Sequence, residues 1–147
     1  IVRLRDADLT VDHLRRLSLL TIATTDIERI SDHAENIVEY MEQLKAKKAE
    51  MSPEAAGELQ EMAQNTIRSV RLALQIFSTE DYSRLNEMEA IEHTVDSQET
   101  ALINSHVERL MSSACDPLAG VIFSDLVTDF ERCSDHAVNL AYALKER

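Results

Sequence analysis

Apolar residues step along the chain by threes and fours in four long stretches. Leu17, Leu20, Ile27, Ile30, Ala34, Ile37, Met41 and Leu44 form the first series, a spacing that keeps one side of an α-helix apolar. Thr10 stands at its start as an N-cap, with Asp12 in the first turn, and Lys45, Lys47 and Lys48 close it where cations complement the helix dipole. The pattern predicts a helix over about 10–49. Ser52-Pro53 and Asp116-Pro117 are both cap-plus-proline starts, predicting helices over about 53–77 and 117–144. Between them Ser78-Thr-Glu-Asp81 opens a third helix, over about 79–112, with Met88, Ile91, Val95 and Leu102 as its core positions.

The connections are short, so consecutive helices are expected to lie antiparallel. At about 1.5 Å per residue each helix is roughly 40 to 60 Å long. The fold class is therefore all-α: an elongated up-down bundle of four long helices, in one domain spanning residues 1–147. Composition agrees, because Leu, Ala, Glu, Ile and Met dominate while only 2 glycines and 2 prolines occur.

One polar stretch occurs twice. Thr25-Asp-Ile-Glu-Arg-Ile-Ser-Asp-His-Ala-Glu-Asn36 returns as Thr128-Asp-Phe-Glu-Arg-Cys-Ser-Asp-His-Ala-Val-Asn139, with 9 of 12 positions identical at an offset of 103. Packing alone preserves apolar positions, yet those vary here (Ile27/Phe130, Ile30/Cys133) and the polar ones stay. The offset corresponds to one three-helix unit. The first helix then reads as the last helix of a preceding unit, and the other three as a complete unit. Opening on Ile1-Val-Arg-Leu-Arg, with no initiator Met or signal-peptide pattern, the chain reads as part of a longer protein.

The repeated stretch carries candidate chemistry. Glu28 and Asp32, Glu92 and Asp96, and Glu131 and Asp135 are three Glu-x-x-x-Asp pairs, each on one helix stripe beside the apolar face. Like charges at this spacing cost a few tenths of a kcal/mol, and a hard or borderline cation bridging two helices would turn that repulsion into coordination. Glu92, Asp96, Glu131 and Asp135 are expected to converge on one four-carboxylate site, with iron, zinc or manganese as candidate ions. Glu28 and Asp32 would need partners from the preceding unit. The bland alternative is a solvated acidic ladder neutralised by Arg29 and Arg132. His33 and His136 point away from the acidic stripe, which suits an interhelical hydrogen bond or a surface role better than ligation.

A net charge of −12 disfavours nucleic acid and anionic lipid and favours cations. No run of about 18 apolar residues is present to span a membrane. Cys115 and Cys133 form no Cys-x-x-Cys pair and are expected to remain reduced, fitting a reducing compartment. The five histidines lack a Glu three residues earlier, which argues against a ferritin-like di-iron oxidase. Gly-rich phosphate loops, His-Glu-x-x-His and nucleophile elbows are likewise missing, so no enzyme is expected.

The duplicated Asp26-x-Glu-Arg-x-x-Asp-His-Ala-x-Asn resembles the signature of PhoU and PhoU-like domains, over essentially the whole chain from Thr10. His106-Val-Glu-Arg-Leu110, Cys115-x-Pro-x-x-Gly120 and Phe123-Ser-Asp-Leu126 resemble, within that family, the cytoplasmic C-terminal domain of bacterial sodium/phosphate cotransporters. The resemblance implies a regulatory domain on the cytoplasmic face of the cell membrane, modulating phosphate uptake. Its metal ligands would be Glu28, Asp32, Glu92, Asp96, Glu131 and Asp135. It also implies a transmembrane transporter domain of the same full-length chain as partner, and the exposed apolar surface makes a homodimer a further expectation. A free-standing PhoU-type regulator and a scaffold or dimerisation bundle without a metal site are the alternatives. Ser31 and Ser134 stand where the family often has glycine, which predicts a less close approach of the neighbouring helix.

Overall fold

The computed structural model describes residues 10–112 and 116–145, and Cys115 lies outside them. Four α-helices follow in order: α1 (Val11–Lys47), α2 (Pro53–Thr79), α3 (Leu85–Met111) and α4 (Pro117–Tyr142), with one 3-10 turn, Tyr82–Arg84, leading into α3. The all-α bundle is as expected; α3 starts at Leu85 rather than about 79, because Asp81 caps the 3-10 turn instead of the helix, and the other ends differ by at most two residues.

Caps explain where α1, α2 and α4 start, whereas α3 has no side-chain cap and follows the 3-10 turn that Asp81 opens by accepting from the Ser83 amide at 3.2 Å. The Thr10 hydroxyl accepts from the His13 amide and the His13 ring accepts from the Thr10 amide, a capping box. Ser52 and Asp116 each accept from the amide three residues on, at 3.1 and 2.9 Å, with proline in the first helical turn. Lys48 and Glu80 end α1 and α2 in the left-handed conformation, at φ 51° and 54°, an ending more often given to glycine.

α4 is the axis of the molecule. It packs against α1, α2 and α3, while α2 also packs against α3; α1 makes no comparable interface with α2 or α3. Residues pairing across the helices set the directions. Ser69 meets Ser134 and Thr66 meets Phe130, so α2 and α4 are parallel. Glu58 meets Arg109 and Asn65 meets Gln98, while Asp26 meets His136 and His33 meets Asp129, so α3 opposes α2 and α1 opposes α4.

The core lies in two blocks along α4. One joins Leu59, Met62, Val95, Leu102, Ile122, Phe123 and Leu126, and the other joins Leu72, Ile76, Met88, Ile91, Ala137 and Leu140. The α3 core positions Met88, Ile91, Val95 and Leu102 are all buried, as expected.

The face of α1 expected to be buried is not. Of its apolar series only Leu44 is buried; Leu17, Ile30 and Ile37 are half-buried, and Leu20, Ile27, Ala34 and Met41 are exposed. The reason is geometric, since α1 meets one helix where α4 meets three.

Candidate metal site and the repeated motif

Glu92 and Asp96 stand one turn apart on α3, held over the core by Ile91 and Val95. α4 runs antiparallel beside them and presents Asp135. One carboxylate oxygen from each of Glu92, Asp96 and Asp135 lies within 4.8 Å of the other two, and all three residues are half-buried. Like charges this close raise one another's pKa. Glu92 is raised above the ordinary carboxylate value by burial first, then by the charges of Asp96 and Asp135.

Glu131, expected as a fourth ligand, lies one turn before Asp135 on α4 and is not part of the trio. It borders the site: burial, then the charge of Asp135 and a hydrogen bond with it, push its carboxyl up to about 7. Arg132 sits 3.5 Å from both Glu131 and Asp135 on the solvent side. The donors are oxygen only, on two neighbouring helices. That set suits a hard cation such as manganese, magnesium or ferric iron better than the softer ions that favour sulfur and nitrogen. It does not fit a zinc site built on histidine.

Glu28 and Asp32 are exposed on α1, and nothing among the described residues joins them into a ligand group. Asp32 is met by Arg29 at 3.9 Å, the ladder that the sequence left open as an alternative.

Other polar positions of the repeat have a different use. Asp26 and Asp129 are buried where α1 crosses α4. His33 Nδ1 lies 2.6 Å from Asp129 and His136 Nδ1 lies 3.0 Å from Asp26. With the carboxylates accepting, each ring carries its hydrogen on Nδ1. Each copy of the motif thus supplies an Asp to the other copy's His, and the pairs exchange under a local two-fold axis. The two imidazoles stack at that axis, 5.8 Å apart and 24° from parallel. Asn139 adds a 3.4 Å bond to Asp26, and the Cys133 thiol donates to the Ile30 carbonyl at 3.8 Å. The interhelical role expected for His33 and His136 is what the geometry shows. Asp26 and Asp129 were not singled out as the partners of these rings. The available signal was the spacing: Asp and His seven residues apart share one helix stripe.

The repeat's serine serves packing. Ser134 is 1% exposed and its hydroxyl meets that of Ser69, itself 0% exposed, at 2.9 Å. α2 therefore approaches α4 closely despite the side chain that replaces glycine, whereas Ser31 is exposed on α1.

His106, Arg109 and Phe123 gather at the end of the bundle where α3 gives way to α4. His106 packs on Phe123 with ring centroids 5.4 Å apart, and Arg109 lies 4.9 Å above the same ring while pairing with Glu58 at 2.9 Å. Burial first, and then Arg109, hold His106 below its usual pKa. These side chains wall a cavity of about 30 Å³, room for a water but not for a substrate.

A family model described as PhoU domain matches residues 59–144. The chain is 28% identical over 127 residues to the phosphate-specific transport system accessory protein PhoU homolog 1 of Thermotoga maritima, a match covering 86% of the chain and 54% of that protein. The chain spans about half the length of that curated relative. No solved structure matches it.

Proposed function

The chain belongs to the PhoU domain family, and from that premise we propose that it is a regulatory domain for phosphate uptake whose shape is set by a bound cation. The observation that carries the cation is the convergence of Glu92, Asp96 and Asp135 from two helices within 4.8 Å. Held together without an ion, these carboxylates repel. Coordinated, they cross-link α3 to α4. Asp135 and Glu92 would hold the ion from opposite helices, Asp96 would complete the set, and Glu131 would adjoin it. The ion supplies charge neutralisation and a fixed distance between helices.

The phosphate connection is supported by the Thermotoga maritima relative, whose name places it with a phosphate-specific transport system. In our reading the domain forms the cytoplasmic part of a sodium/phosphate cotransporter and acts on the transmembrane portion of the same protein. Support comes from the cluster of His106, Arg109 and Phe123, the residues that carry that narrower resemblance. A free-standing accessory regulator is the second reading, favoured by the relative being named an accessory protein. We further read α1 as the last helix of a preceding three-helix unit, whose Glu28 and Asp32 would serve a second site. The exposed Leu20, Ile27, Val38 and Met41 support a covering partner on that side. None of the described helices is long and apolar enough to cross a membrane.

The test is direct. Equilibrate the protein with manganese or ferrous iron, remove free ion, and measure bound metal by mass spectrometry. Wild type is expected to retain metal, and Glu92→Gln with Asp135→Asn to retain none. Equal retention by both proteins, or none by wild type, rejects the site. Phosphate uptake by cells carrying the same variant in the full-length protein then tests the regulatory role.

A further inference from the structure

The two faces of α4 are used for different things within the same two turns. Asp129, Cys133 and His136 face α1, where they make the reciprocal pairs and the thiol contact. Glu131 and Asp135 fall on nearly the opposite side at about 100° per residue, and Asp135 faces Glu92 and Asp96 of α3. Asp135 and His136 are adjacent in sequence, so the backbone that places one places the other. A helix is a stiff rod, and a small roll or slide of α4 toward α3 moves both sets at once.

α1 is held on α4 by apolar packing, with Ala23 and Leu44 buried, and by a set of polar contacts between those two positions. α1 packs on α4 and makes no comparable interface with α2 or α3. Near the middle of that interface the described polar contacts are the two Asp–His pairs, the Asn139 bond and the Cys133 contact. The pairs are short, at 2.6 and 3.0 Å, and a displacement of about 1 Å takes such a bond outside useful geometry. They are also interlocked by the stacked rings, so a shift that opens one pair disturbs the other.

We propose that the reciprocal Asp26–His136 and His33–Asp129 pairs form a joint through which cation occupancy of the Glu92–Asp96–Asp135 site changes how firmly α1 is held on α4. The inference rests on the cation reading above. An ion drawing Asp135 toward α3 fixes the roll and height of α4, and the joint closes. Without it, repulsion among the carboxylates pushes Asp135 away from α3 as far as the packed core around α4 allows, and α1 is held less firmly. Binding at one place and closure at the other must then be reciprocal.

The experiment combines manganese calorimetry with amide hydrogen exchange. In wild type, saturating Mn²⁺ is expected to slow exchange across residues 23–37 of α1 by about five-fold or more. His33→Leu with His136→Leu removes that protection change and weakens Mn²⁺ affinity by the same factor. Leu44→Ala serves as the control: it loosens α1 by packing alone, so exchange rises while Mn²⁺ affinity and the ion-dependent slowing remain. Mn²⁺ binding by wild type with unchanged α1 exchange overturns the joint and leaves the cation site standing. Equal Mn²⁺ affinity in wild type and the double His variant does the same. Absence of Mn²⁺ binding to wild type overturns both. Should the double variant not fold, the wild-type exchange result decides alone.

Discussion

At the scale of single residues, the acids between α3 and α4 converge on one another, while those between α1 and α4 pair with histidine. Glu92, Asp96 and Asp135 were legible because Glu-x-x-x-Asp places two acids on one stripe and the short α3–α4 connection brings the helices together. The pairing of Asp26 and Asp129 was not: their seven-residue spacing to His33 and His136 marks one stripe, but not which residues the other helix brings opposite it. Glu131 makes the electrostatics testable. Its folded pKa of about 7 lies above its ordinary 4.5, so between those values the folded protein holds a proton that the unfolded chain has released. Stability of the metal-free protein therefore falls as pH rises through that window and levels off above it. Denaturation midpoints at about pH 5 and about pH 7.5 should show this loss in wild type and a smaller one in Glu131→Gln. The buried Ser69–Ser134 pair gives a second measurement. Ser134→Ala leaves the Ser69 hydroxyl without its partner and is expected to cost about 1–2 kcal/mol. Replacing both serines with alanine should cost less than the two single changes added together, which a double-mutant cycle reads directly.

At the scale of helices, caps and proline starts fixed α1, α2 and α4 to within two residues because those signals are local, whereas α3, which has neither, starts six residues later than expected. Burial is not local, and there α1 and α4 part company although they share a motif. Phe123 and Leu126 are 2% and 1% exposed on α4, while Leu20 and Ile27 on α1 are 38% and 41% exposed. The same apolar spacing therefore carries different weight on the two helices. Leu126→Ala empties a site packed from several sides and should cost about 2–5 kcal/mol. Ile27→Ala removes a half-solvated side chain and should cost less than about 1 kcal/mol. Equal losses in thermal denaturation would show that α1 is covered in solution, which would also give the motif on α1 the neighbours it needs for its own site.

At the scale of the whole molecule, a net charge of −12 has two consequences that are easily confused. Any salt screens general repulsion among the carboxylates and stabilises the fold modestly. A divalent cation held by Glu92, Asp96 and Asp135 does something else: it binds the folded state at a place the unfolded chain lacks. Its effect then follows mass action, reaching about 2.7 kcal/mol at a hundred-fold excess over the dissociation constant. The two separate at constant ionic strength, with sodium chloride exchanged for manganese chloride and unfolding followed by calorimetry. Wild type should gain midpoint temperature with the logarithm of manganese concentration, and Glu92→Gln with Asp135→Asn should lose that slope. The variant should keep the response to sodium chloride, since it removes 2 of 27 acidic residues. If instead manganese and sodium act alike in both proteins, the acidic face is only a solvated surface, and the trio on α3 and α4 owes its closeness to helix packing alone.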